Sequence, residues 1–108
     1  MSMELELVLC VCSREVAEKI AYAVVEKRLA ACADIIPGMW GLYSWKDEPQ
    51  VEGEVTVLVT TIEDLSEDVY ETILELHSAD LPVIVSFDIQ ETFSSYIEWI
   101  ATQLGAEF

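Results

Sequence analysis

Basic side chains are scarce in this sequence of 108 residues. It has five lysines and arginines against 21 aspartates and glutamates, which gives a formal net charge of −16. Proteins bind phosphate backbones and anionic surfaces by displacing counterions with lysine and arginine. The composition therefore excludes nucleic acid and anionic membranes as partners. Two interpretations of the acidity remain open: a solvated surface suited to a salty cytosol, or a field that concentrates divalent cations loosely.

Long apolar runs and a secretory start are also missing. No segment reaches the roughly 18 uninterrupted apolar residues of a membrane-spanning helix. The first seven residues contain two glutamates and no basic residue, unlike a signal peptide. Cys10, Cys12 and Cys32 are odd in number and have no secretory context that would favour a disulfide framework. We expect a cytoplasmic protein.

Glycine is too rare for the glycine-rich motifs that bind phosphate groups or hold a catalytic nucleophile. With four glycines in the chain, no phosphate-cradling loop is present. Serine, histidine and aspartate occur, but no glycine pattern groups them around a nucleophile. The sequence therefore gives no support to a hydrolase, and we expect a protein without catalytic residues.

Hydrophobic residues, by contrast, are abundant. They make up 53% of the chain, and the mean hydropathy of +0.35 is high for a small soluble monomer. The length predicts one domain over residues 1–108. Either some strands are buried on both faces, or a subunit interface hides apolar area.

The order of predicted elements indicates the fold. The first half of the chain predicts a strand at Leu5–Cys12, a helix capped by Ser13 with Lys27 and Arg28 in its last turn, and a strand at Ala30–Trp45 bent at Pro37 and Gly38. A loop at Lys46–Gln50 and a strand at Glu54–Ile62 follow. The second half predicts a helix capped by Ser66 and broken at Ala79–Pro82, then a half-buried strand with apolar Val83, Val85, Phe87 and Ile89, and last a helix marked by Phe93, Ile97, Ile100 and Leu104. This order predicts an α+β fold, the ferredoxin-like split βαβ sandwich, with an antiparallel sheet and a C-terminal helix.

Such a sandwich leaves one face of its sheet bare. The predicted strands are too apolar on both sides to face water, so a second subunit should cover that face. Trp40, Tyr43 and Trp45 on the long hairpin are natural interface anchors, because large aromatic side chains dominate interface energetics. The sequence therefore predicts self-association.

Several residues together resemble the CutA family of divalent-cation-tolerance proteins. They are the small-residue run ending at Cys32, the Pro37–Gly38 bend, Tyr43 with Trp45, Glu54, His77 with Pro82, Tyr96 with Trp99, and Cys10. The resemblance implies a homotrimer, packed through sheets and hairpins and similar to the PII signalling proteins. It also implies a role in tolerance of divalent metals, notably copper, and no catalytic activity.

The resemblance implies a metal site near Cys10 and His77. Thiolate and imidazole both suit copper and zinc. Val83 replaces a glutamate of the family, so the implied three-ligand site is incomplete and its binding of copper should be weak. We expect Cys12 to point to the opposite face of its strand from Cys10, so that the two thiols cannot chelate one ion together without a bulge. The alternative for each cysteine is a small buried hydrophobe, and for His77 a helix-capping role.

The implied cleft between subunits contains Glu54, Tyr43, Trp45, Thr61 and Tyr96. At position 60 the lysine typical of the family is a threonine, so Glu54 lacks its usual basic neighbour. The leading hypothesis is a non-enzymatic CutA-like homotrimer that binds a metal or small ligand in these clefts. The alternatives are a metabolite-sensing module, an enzyme in the same cleft, or a stable scaffold without a metal role.

Overall fold

The described residues form a four-stranded antiparallel sheet and three helices. The structure, a computed structural model, describes residues 3–77 and 82–106, and at positions 43, 45 and 50–53 it describes the backbone alone. The elements are β1 (Leu5–Cys12), α1 (Arg14–Glu26), β2 (Cys32–Trp45), β3 (Glu48–Ile62), α2 (Glu63–Leu76), β4 (Val83–Asp88) and α3 (Ser94–Leu104). The sheet order is β2-β3-β1-β4. This confirms the predicted α+β, ferredoxin-like fold. No described helix is long and apolar enough to span a membrane.

Helix α1 begins as predicted and ends earlier. The Ser13 hydroxyl accepts a hydrogen bond from the Val16 amide at 3.3 Å, which satisfies one free donor of the first turn. Residues at helical spacing, among them Ile20 and Val24, are fully buried. Arg28 has a positive φ of 57°, which turns the chain out of the helix. The placement of Lys27 and Arg28 in the last turn is therefore wrong, since both follow Glu26.

The β2–β3 hairpin is longer than the sequence indicates. The register shifts between Ile36 and Met39, which confirms the predicted bend, and Gly38 there has a φ of 78°. The chain reverses at Lys46 and Asp47, whose φ values are 51° and 65°, as in a two-residue turn. The predicted five-residue loop is therefore only two residues long. The hairpin accounts for much of the 47 Å length of the molecule.

Helix α2 follows β3 without a connecting loop. It begins at Glu63, not after Ser66, and no side chain caps its first turn. Instead the Glu63 amide donates to the Glu4 carbonyl at 2.8 Å, so a neighbouring backbone segment takes the place of a capping residue. The predicted break at 79–82 falls mostly outside the described residues.

The two faces of the sheet have different neighbours. Helices α1 and α2 cover one face, where the main core lies, including Val8, Cys10, Cys12, Val55, Val57, Val59, Val69 and Ile73. At one end of the opposite face, α3 places the fully buried Ile100 against Leu5, Ala31 and Ile62. The Arg28 guanidinium donates to the Gln103 carbonyl at 3.2 Å and ties α3 to the start of β2. The rest of that second face defines the candidate site.

Candidate functional site on the open face of the sheet and beside Cys10

We call the part of the sheet that none of the described helices covers the open face. Its centre consists of Leu7, Leu9 and Val11 on β1, opposite Phe87, Val85 and Val83 on β4. The three β4 side chains are 49%, 41% and 46% exposed in the same order. The predicted alternation of β4 is therefore present, and its apolar side faces away from α1 and α2. An apolar patch on adjacent strands indicates a surface that another molecule covers.

Tyr96 lies where α3 meets the open face. Its hydroxyl is 3.7 Å from the Cys32 sulfur, and its ring stacks on Trp99 with centroids 5.9 Å apart. Burial, followed by the neighbouring Cys32, raises the pKa of the Tyr96 phenol above its ordinary value of 10.0. The phenol is therefore a neutral hydrogen-bonding group at physiological pH, and it gives the apolar face a polar corner.

Glu54 lies on β3 just beyond the bulge, where its register partner is Met39. It is half-buried, and strand alternation puts it on the same face as Thr56. The Thr56 hydroxyl donates to the Met39 sulfur at 3.2 Å. Two further predicted cleft residues, Tyr43 and Trp45, lie on β2. The structure describes their backbone, and their side chains are outside its described part.

Thr61 has a structural position. It is fully buried, and its hydroxyl donates to the Leu29 carbonyl at 2.6 Å. This bond ties β3 to the segment that leads from α1 into β2. The hydroxyl is therefore already used inside the chain.

Cys10 and Cys12 lie on the same face of β1, so the expectation of opposite faces is wrong. Residues two apart in a strand share a face, and both side chains are buried against α1 and α2, at 0% and 2% exposure. Burial, followed by the nearby Cys12, raises the pKa of the Cys10 thiol to about 12. Burial also raises the pKa of Cys12, and the charge of Glu54 raises both. The Cys10 thiol donates to the Val11 carbonyl at 3.9 Å.

His77 sits at the C-terminal end of α2, as predicted. Its backbone amide donates to the Ile73 carbonyl at 2.8 Å. Its Nε2 lies 2.8 Å from the Val11 carbonyl. Because a carbonyl only accepts, Nε2 carries the proton, and this nitrogen is used to join α2 to the end of β1.

The described residues do not form a three-ligand metal site within one chain. No group of three or more histidine, cysteine, aspartate or glutamate side chains is placed to hold an ion in the described part. Val83, where the family's glutamate was expected, is paired with Val11 on the open face, whereas Cys10 faces the helices. A carboxylate at position 83 would therefore lie on the opposite side of the sheet from Cys10 of its own chain.

A cluster of carboxylates at the start of β1 was not recognised in the sequence. Glu6 is the register partner of Asp88, and Glu4 bonds through its backbone to Glu63. A hydrogen bond that the protonated Glu63 carboxyl donates to the Glu4 side chain, followed by the charge of Glu4, raises the pKa of Glu63. Only the strand register brings these residues together, so no local signal could have revealed the cluster. It concentrates negative charge and lacks the ligand grouping of an ion site among the described residues.

Comparisons with known proteins agree with the fold and the resemblance. The sequence matches the family model described as CutA1 divalent ion tolerance protein over residues 6–103. The divalent-cation tolerance protein CutA of Thermus thermophilus is 37% identical over 103 residues, which are 95% of this chain and 100% of that protein. The chloroplastic protein CutA of Arabidopsis thaliana is 31% identical over 88 residues, which are 82% of this chain and 48% of that protein. The chain thus spans about half the length of the plant relative.

Solved structures show the same fold. The Cut A1 divalent cation tolerance protein of Thermus thermophilus superposes with a TM-score of 0.84 at 38% identity, covering 89% of this chain and 94% of its own. A protein from Archaeoglobus fulgidus, described as the periplasmic divalent cation tolerance protein CutA, superposes with a TM-score of 0.88 at 26% identity, covering 93% and 98%. Sequence and fold agree over nearly all of the chain, which therefore belongs to the CutA1 divalent ion tolerance protein family.

Proposed function

We propose that the protein is a non-enzymatic homotrimer that takes part in the response to divalent metal ions, copper among them. Ligands bind in clefts between its subunits. The observation that carries the proposal is the open face, where six apolar side chains of β1 and β4 lie side by side and none of the three helices covers them. Family membership supports the metal role, since its relatives are named for divalent cation tolerance.

A second copy of the chain is the occupant that best suits the open face. Val83, Val85 and Phe87 each expose more than two fifths of their surface. Each chain carries a net charge of −16, so copies repel one another at long range and only close apolar contact can hold them together. The exposed apolar area therefore favours an assembly that turns these faces toward one another and excludes water, against the long-range repulsion of the charges.

The proposed clefts lie at the margins of that contact. Tyr96 offers a neutral phenol at the α3 corner, and Glu54 offers a half-buried carboxylate near the hairpin bulge. We also place the hairpin residues Tyr43 and Trp45 in these proposed clefts. Thr61 supports the cleft from inside by fixing β3 to Leu29.

We place the protein in the cytoplasm and assign it no reaction. All three cysteines are free thiols, which suits a reducing compartment. The family descriptions name tolerance of ions and no catalysed reaction. Because the Archaeoglobus relative is described as periplasmic, fractionation of cells that express this chain is the direct test of location. Three alternative functions stay predictions: a metabolite-sensing module, an enzyme that uses the same cleft, and a stable scaffold without a metal role.

Calorimetry of the purified oligomer with cupric ion tests the metal role. We expect weak binding, because one chain supplies fewer than three grouped ligands among its described residues. Cys10→Ser and His77→Ala should each weaken it further, while Tyr22→Ala on the outer surface of α1 serves as the control. Tight binding of one cupric ion per chain that neither variant changes would show that the site lies elsewhere.

A further inference from the structure

The pair of buried thiols on β1 has a geometry of its own. Cys10 and Cys12 are consecutive residues of one strand face, opposite Val57 and Val55 of β3. The neighbouring strand β4 pairs with β1 as far as Val11. Ladders on both sides therefore hold the strand extended, and the two side chains project in parallel into the core beneath α1 and α2.

The spacing of these residues disfavours a disulfide. Two residues along an extended strand separate equivalent atoms by about 6.8 Å. A disulfide requires Cβ atoms roughly 3.5–4.5 Å apart, which β1 could reach only by leaving its ladders. A metal ion bridging two thiolates spans more, since two bonds of about 2.3 Å put the sulfurs about 4.6 Å apart. Rotation of the side chains alone allows that distance.

The donors around the pair select the class of ion. Tetrahedral and octahedral sites need more ligands than the described residues group together here. Thiolate donors favour soft ions such as the cuprous ion, which is also stable with two ligands. The Nε2 of His77 carries a proton that it donates to the Val11 carbonyl at 2.8 Å, so this nitrogen has no lone pair for the ion.

The charge balance of the pair also suits a monovalent cation. A cuprous ion that displaces one thiol proton leaves a thiolate, an ion and a thiol, whose total charge is zero. Such a unit can stay in an apolar core at little electrostatic cost.

We propose that Cys10 and Cys12 together bind one cuprous ion as a two-coordinate sulfur site. This deepens the proposed metal role by naming the ion class and adding Cys12 as a ligand. The ion enters already reduced, one thiol proton leaves to solvent, and no electron is transferred. The proposal concerns a single chain and is independent of how chains assemble.

Anaerobic competition for copper tests the proposal. The reduced full-length protein is titrated with cuprous ion held by a chromogenic chelator. Wild type should withdraw one ion per chain, and Cys32→Ser, the matched control, should do the same. Cys10→Ala and Cys12→Ala should each lower the affinity at least tenfold, whereas His77→Ala should not change it. Full affinity in Cys12→Ala, or loss in Cys32→Ser, would overturn the proposal.

X-ray absorption of the wild-type copper complex keeps the test decisive if a cysteine variant fails to fold. Two sulfur neighbours and no nitrogen are expected, and a shell with nitrogen or with three sulfurs would contradict the assignment. Cupric calorimetry and the mass of the assembly are separate measurements. If copper(I) binding fails while those succeed, only this inference falls.

Discussion

Phe87→Ala should weaken the proposed trimer. Phe87 lies on β4 opposite Leu7, with 49% of its surface exposed on the open face. In the proposed assembly this exposed half of the ring is covered by a neighbouring chain. Alanine removes the ring and leaves the strand and the core beneath it unchanged.

The size of the effect follows from the exposed area of Phe87. An aromatic side chain presents about 200 Å², so the open half corresponds to about 100 Å². At about 25 cal/mol per Å², covering it contributes about 2 kcal/mol per chain once the remaining methyl group is allowed for. Three chains then lose about 6 kcal/mol, or roughly four powers of ten in the association constant. The concentration of half-assembly, which varies as the square root of that constant, should rise about 100-fold.

Sedimentation velocity between nanomolar and 100 micromolar protein measures the shift. Tyr22→Ala is the matched control, since it removes a 70% exposed aromatic ring from α1 on the opposite side of the molecule. Val85→Asp is the stronger variant, because it places an unpaired charge in the same patch. Circular dichroism confirms that each variant is folded. If Phe87→Ala and Val85→Asp assemble like Tyr22→Ala, the open face is not the interface.

Four further predictions concern stability. Glu63→Gln should raise the melting temperature at pH 7 and have no effect near pH 4. The pKa of Glu63 is raised in the folded state, so its charged form is unfavourable there and the protein loses stability as the pH rises. An equal effect at both pH values would contradict this. Thr61→Val should lower the free energy of unfolding in urea by about 1–3 kcal/mol, because the Leu29 carbonyl loses the hydroxyl that donates to it at 2.6 Å. Thr72→Val is the control and should lower it less, because it loses only a bond to a carbonyl of its own helix. The pKa of the Cys10 thiol is about 12 in the folded protein and 9.0 in the unfolded chain. Between pH 8 and 10.5 the free energy of unfolding of the wild type should therefore fall by about 2 kcal/mol more than that of Cys10→Ala. Equal falls in the two proteins would refute the raised pKa of Cys10. Sodium chloride should raise the melting temperature, because salt screens the repulsion of chains that each carry −16, and a flat or falling curve would count against it.

Local signals in the sequence predicted the parts of the fold that depend on neighbouring residues. Ser13 caps α1 because its hydroxyl reaches an amide three residues ahead. Pro37 and Gly38 mark the bulge because one lacks a donor and the other accepts a positive φ. The order of elements then left few topologies, and the ferredoxin-like arrangement was among them.

The misplaced features depend on tertiary contacts. Helix α2 starts three residues before Ser66 because the Glu4 carbonyl, distant in sequence, accepts from the Glu63 amide. The side chain of Ser66 is therefore not needed as a cap. Alternation in β4 identifies which residues share a face, but only the packing of α1 and α2 decides that Val85 is on the uncovered one.

The candidate site was the least predictable part, since it depends on the register of strands and on neighbouring chains. Cys10 and His77 were selected from resemblance, and each turns out to have a role inside the chain, one in the core and one at the end of β1. The link between Tyr96 and Cys32 joins residues 64 positions apart. No periodicity could have indicated that contact.

The mass of the wild-type assembly in solution tests the central claim most directly. Multi-angle light scattering at micromolar concentration and physiological salt should give three times the chain mass of 12.1 kDa. A mass equal to one chain would mean that the open face stays exposed to water, and it would contradict the proposed trimer and the clefts that depend on it.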